Sequence, residues 1–115
     1  MKSFAAVLAV FLLLFSSGTA QESKVVEATF AVSGNCNLCK TRIEKALKVK
    51  EVKFARWDKK SKTVTVAYLS PAISIDSLQH RVAAVGHDTE KFKAPDAVYS
   101  DLPGCCLYRE ADKAH

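Results

Sequence analysis

"SGNCNLCKTRIEKAL", Ser33 to Leu47, is where one periodicity gives way to another. Upstream of it, "KVVEATFAV" (Lys24 to Val32) alternates. Val26, Ala28, Phe30 and Val32 share one face and Glu27 and Thr29 the other, the pattern of a half-buried strand. Ser33-Gly34-Asn35 is a turn signal. From Asn37 the spacing becomes helical. Cys39, Ile43, Ala46 and Leu47 fall on one side, with Lys40, Arg42, Glu44 and Lys48 elsewhere, which predicts an amphipathic helix of about three turns. Asn37 or Asn35 is placed to cap it. A strand that turns directly into a helix carries two cysteines, Cys36 and Cys39, at the junction.

Downstream, "EVKFARWDKKSKTVTVAYL" reads as a hairpin. Val52 and Trp57 belong to its first arm and Val64, Val66 and Tyr68 to its second, joined through the polar run Asp58 to Lys62. The phase slips near Phe54, which predicts a bulge there. Ile75, Leu78, Val82 and Val85 then mark a second helix, capped by Ser74 or Asp76, with Gly86 where a left-handed residue is wanted. "DTEKFKA" predicts a short last strand around Phe92. The order strand, helix, strand, strand, helix, strand is the ferredoxin-like pattern of an α+β sandwich. It implies a four-stranded antiparallel sheet with two helices on one face.

The chain of 115 residues suits one domain. Its first twenty residues differ from the rest. Lys2 precedes an apolar run, Phe4 to Phe15, and small residues end at Ala20. That is the layout of a signal peptide (residues 1–20), too short to span a hydrocarbon layer of ~30 Å. It implies secretion across the inner membrane, into the periplasm. The leader holds one cation and no acid, so its removal takes the net charge from +5 to +4. Acids and bases are interspersed without an aromatic-basic stripe, which argues against nucleic acid as a partner. No Ser-His-Asp set, phosphate loop or paired carboxylates is visible, so no hydrolase is expected.

Export permits disulfides, yet a disulfide closing a loop as short as Cys36–Cys39 contributes little stability. Local pairs point to chemistry. At the opening of a helix, unpaired N–H groups and the helix dipole favour thiolates. Soft thiolates select Cu(I), Zn(II) and similar thiophilic ions. By helix phase Cys39 is the more buried and Cys36 the accessible one, suited to handover. A thiol–disulfide oxidoreductase is the alternative for a helix-opening C-x-x-C. No tryptophan precedes Cys36, however, and Pro71 leads into a helix rather than a strand.

These residues carry a resemblance. Lys24 to Lys93 resembles a heavy-metal-associated domain, the family of copper chaperones, transporter N-terminal modules and the periplasmic mercury-binding protein. The family motif Gly-Met-x-Cys-x-x-Cys aligns with Ser33-Gly34-Asn35-Cys36-Asn37-Leu38-Cys39. The resemblance implies that Cys36 and Cys39 are the metal ligands. In the family the methionine packs beneath the loop; here Gly34 stands in its place. The family's late Gly-Tyr or Gly-Phe is here Gly86-His87, which brings His87 towards the cysteines as a candidate third ligand, or else leaves it in a solvated turn.

The domain so read covers residues 21–94, and residues 95–115 form a tail. "DLPGCCLYRE" holds the vicinal pair Cys105-Cys106, and similar tails occur in secreted bacterial proteins of this kind. Three readings stay open: the tail supplies one or two further thiolates, it forms a disulfide with Cys36 or Cys39, or it acts apart. The function expected is binding, carriage or sequestration of a thiophilic ion without catalysis. Cu(I) comes first, with Zn(II) or Hg(II) as the others. A membrane metal transporter or another metal-binding domain would be the partner of a monomer. Lys40, Lys45 and Lys48 either steer an acidic partner or simply solvate the helix.

Overall fold

The computed structural model describes residues 22–113, so the predicted leader lies outside the described residues. Strand β1 (Lys24–Ala31) is followed by helix α1 (Asn37–Ala46), β2 (Val52–Asp58), β3 (Thr63–Ser70) and α2 (Ile75–Ala84). Then come α3 (Asp96–Ser100), a 3₁₀ turn (Gly104–Cys106) and α4 (Tyr108–Lys113). The sheet is antiparallel in the order β1-β3-β2.

The alternation read from the sequence sets the layers. Phe30, Val32, Trp57, Val64, Val66 and Tyr68 are buried beneath the helices, which contribute Cys39, Ile43, Leu47, Leu78 and Val82. The register of β2 slips between Val52 and Phe54. This bulge sets Ala55 and Trp57 opposite the core residues Val66 and Val64 and leaves Phe54 opposite Ala67, half exposed on the open face.

The predicted fourth strand does not form, and the described sheet has three strands. Among the described residues its pairing is confined to one bridge, Thr89 to Val32, flanked by backbone bonds from Ser33 N–H to the Asp88 carbonyl at 2.8 Å and from Glu90 N–H to the Ala31 carbonyl at 2.9 Å. Thr89 N–H donates to the Phe92 carbonyl at 2.7 Å, and Phe92 N–H donates to Thr89 Oγ1 at 2.9 Å. Ala94 N–H is taken by Asp88 Oδ1 at 2.7 Å. The threonine hydroxyl and the aspartate thus satisfy the groups that a strand would have offered to β1, and a closed turn is the result.

Residues 95–113 pack back onto the domain. Tyr99, Leu102, Cys106 and Tyr108 belong to the same buried cluster as Phe30 and Ile43. Gly86 makes this possible. Its φ is +113°, as the helix-end glycine required, and a Cβ there would lie 2.9 Å from Leu102 Cδ2. The tail is therefore seated against a position that only glycine fits.

Candidate metal centre

Cys36 is itself the cap of α1. Its sulfur accepts from Cys39 N–H at 3.4 Å, in place of the asparagine side chains expected from the sequence. Asn35 instead turns to the second cysteine, its Oδ1 accepting from Cys39 Sγ at 3.4 Å. Helix phase holds as predicted: Cys39 is fully buried and Cys36 half-buried. α1 is fixed by Lys40, which pairs with Glu44 and donates to the Trp57 carbonyl at 3.1 Å, while Glu44 accepts from Trp57 N–H at 3.0 Å. Lys40 is thereby tied into the fold.

Gly34, at the family's methionine position, has a physical reason. A Cβ there would meet Trp57 Cζ2 at 2.9 Å and Cys39 Cβ at 3.1 Å. The Trp57 indole occupies the space beneath the loop, its Nε1 donating to the Val32 carbonyl at 2.9 Å. The sequence placed Trp57 in a strand but carried no signal that it supports the cysteine loop.

The tail brings a third sulfur. Cys36 Sγ lies 3.0 Å from Cys39 Sγ and 3.0 Å from Cys106 Sγ. Cys36, Cys39 and Cys106 all lie within 4.8 Å of one another. Sulfurs bonded at about 2.3 Å to one ion sit about 4 Å apart, so small side-chain shifts admit an ion. Cys105 is exposed, 3.5 Å from Cys36 and 3.9 Å from Cys106, outside that group. All four cysteines are free thiols.

Burial works to raise the Cys36 thiol, but hydrogen bonds from Cys106, Cys39 and the Cys39 backbone outweigh it and hold it at about 6. Burial pushes Cys39 up to about 12, and the hydrogen bond to Cys36 pushes Cys105 up to about 11. The negative charge is thus centred on Cys36, which its neighbours stabilise by hydrogen bonds. Arg42 Nη1 donates to Cys106 Sγ at 3.4 Å and places a cation beside it.

His87 does not join the sulfurs, and it is not in solvent either. It is fully buried. Nδ1 donates to the Ser33 carbonyl at 2.9 Å, and the ring stacks on Tyr108 at 5.5 Å. Burial lowers its pKa and keeps it neutral. It supports the loop from behind through Ser33. The helix-end turn marked its position, but which way the ring faced depended on Tyr108, a tail residue.

Two polar clamps seat the tail. Tyr108 Oη donates to the Gly86 carbonyl at 2.7 Å and accepts from Asp88 N–H at 2.8 Å. Arg109 grips Asp88 with two nitrogens, at 2.7 and 3.1 Å, and stacks on Tyr99. Burial would raise the Asp88 carboxyl, but Arg109 and the Ala94 N–H hold it below the usual carboxylate range. A depressed folded value means that the unfolded chain takes up the proton first. The stabilisation is present above about pH 4 and lost as pH falls through the lower folded value. Acidifying the reduced protein is expected to lower its thermal midpoint in that window. Asp88→Asn should start lower at neutral pH and lose less on acidification; parallel curves for the two proteins would refute the assignment.

This arrangement has relatives among solved structures. The N-terminal domain of a potential copper-translocating P-type ATPase from Bacillus subtilis, in its Cu(I)-loaded state, is 30% identical with a TM-score of 0.55; the match covers 65% of this chain and 96% of that one. The chain belongs to the heavy-metal-associated domain family. A second match in the family is the water-soluble region of the P-type ATPase CopA from Bacillus subtilis, 30% identical with a TM-score of 0.54, covering 60% of this chain and 47% of that one. The CopZ metallochaperone shares the fold at 23% identity and a TM-score of 0.53, covering 56% of this chain and 98% of that one. No protein-family model and no curated protein sequence matches the chain. The heavy-metal-associated domain here is a non-catalytic, metal-binding one with a C-x-x-C cluster, which sets aside the oxidoreductase alternative.

Proposed function

We propose that the chain is an exported, periplasmic carrier or scavenger of Cu(I), held by Cys36 and Cys39 and completed by Cys106. The observation that carries this reading is the group of three sulfurs within 4.8 Å. Three soft donors with no oxygen or imidazole among them suit Cu(I), whereas a structural Zn(II) site wants four ligands. Arg42 beside Cys106 offsets part of the charge that three thiolates would bring to one monovalent ion. The Cu(I)-loaded state of the Bacillus subtilis domain supports the choice of ion, and the composition of residues 1–20 supports export. Handover to a membrane metal transporter or another metal-binding domain would proceed by thiolate exchange, by a monomer.

A competition titration of the reduced chain with Cu(I), Zn(II) and Hg(II) tests it. A single Cu(I) should be bound more tightly than Zn(II). Cys106→Ser should keep that stoichiometry but weaken Cu(I) binding by about tenfold or more. Unchanged affinity in this variant would remove Cys106 from the site, and failure to bind Cu(I) would remove the function.

A further inference from the structure

The four sulfurs are graded from solvent to core. Cys105 is exposed, Cys36 is half-buried, and Cys39 and Cys106 have no exposed surface. The three inner sulfurs form the group that can surround one ion, and Cys105 stands just outside it. It lies nearest the group at Cys36, 3.5 Å away against 3.9 Å from Cys106, and Cys36 is the sulfur that also contacts both buried ones. The turn that carries it is open. Pro103 and Gly104 are exposed, and a Cβ on Gly104 would meet nothing within 4 Å. An incoming group therefore finds free space at Cys105. At Cys36 it finds three neighbouring sulfurs and the cap of α1.

We propose that Cys105 is the exchange port of the site: the sulfur that takes a Cu(I) ion from an external thiolate and gives it back, while Cys36, Cys39 and Cys106 hold it. This rests on the carrier reading above. On entry, the ion arrives bound to two external thiolates. A bond forms between Cys105 Sγ and Cu(I), one bond from Cu(I) to an external sulfur breaks, and the Cys105 proton passes to the departing thiolate. Cys36, 3.5 Å away, then forms the next bond as the second external sulfur leaves. Cys39 and Cys106 close around the ion as its bond to Cys105 breaks; one of their two thiol protons passes to Cys105 Sγ and the other to water. Copper stays Cu(I) throughout, and no oxidant or reductant is consumed. Release runs the same steps backwards. The tail thus has two duties on adjacent residues, Cys106 for holding and Cys105 for access.

The test uses the reduced chain loaded with Cu(I) and a coloured Cu(I) chelator, bathocuproine disulfonate. Cys105→Ser should slow release to the chelator by about tenfold, because the attacked sulfur and its accessibility govern exchange. Its equilibrium affinity should match that of the unaltered chain. Cys105→Ala should behave in the same way, since neither a hydroxyl nor a methyl group binds Cu(I). Equal release rates in Cys105→Ser and the unaltered chain overturn the port and leave the carrier reading standing. Loss of affinity in Cys105→Ser as large as that in Cys106→Ser also overturns it, by making Cys105 a holding ligand. A chain that retains no Cu(I) overturns both.

Discussion

Replacing Cys36 with serine is expected to weaken Cu(I) binding by more than the ~10–100-fold typical of outer-shell changes around a metal, with the fold intact. Cys36 is the hub of the cluster. Its sulfur lies 3.0 Å from Cys39, 3.0 Å from Cys106 and 3.5 Å from Cys105, and it carries the charge that the others stabilise. Without it the two buried sulfurs remain, and the exposed one reaches them only through the longer 3.9 Å contact between Cys105 and Cys106. The substitution is clean because of the position. Cys36 caps α1 through its sulfur, and serine is among the best residues for that place, so the helix should start as well or better. Cys39→Ser would be ambiguous, since it puts a hydroxyl into a fully buried position. Competition with bathocuproine disulfonate gives the affinity, and the thermal midpoint of the apo protein gives the fold. Full affinity in Cys36→Ser would refute the site.

Cys36 as a metal-ligating position could be read from the sequence, and Cys36 as a cap could not. The contrast holds generally. Features within one element show in the spacing: the alternation of Ala28, Phe30 and Val32, the buried stripe of Cys39, Ile43 and Leu47, the Ser74 cap and the left-handed Gly86 were all legible, whereas Val26, read onto the same face, lies beyond the helices and is exposed. The bulge near Phe54 was legible too, because a register slip changes which face a residue takes. What escaped depended on contacts between distant segments. The turn at Thr89 to Phe92 replaced a strand because one hydroxyl and Asp88 captured the backbone donors. His87 was drawn inside by Ser33 and Tyr108, which lie 54 and 21 positions away along the chain. The tail cysteines stood out as an unusual pair, but only the seating of Tyr108, Arg109 and Leu102 brings Cys106, and not Cys105, into the group of three.

The pairing of Gly34 with Trp57 yields the second large effect, one on stability. Trp57 is almost fully buried, so Trp57→Ala is expected to cost about 3–5 kcal/mol, mostly through the cavity left under the cysteine loop. Gly34→Met, which restores the residue that the family motif carries, should also destabilise, by about 1–3 kcal/mol, because its Cβ would already press on Trp57 Cζ2. Gly34 has no positive φ, so the backbone itself tolerates a side chain; the clash is chiefly with the indole, with a second tight approach to Cys39 Cβ at 3.1 Å. The same methionine should therefore change sign once the indole is gone. In a Trp57→Ala background, Gly34→Met has a cavity to enter and should recover part of the lost stability. Urea unfolding of the four reduced apo proteins measures the coupling. A rescue shows that one volume beneath the loop is filled from the strand in this chain and from the loop in its relatives. Simple additivity would mean that Trp57 and position 34 act apart.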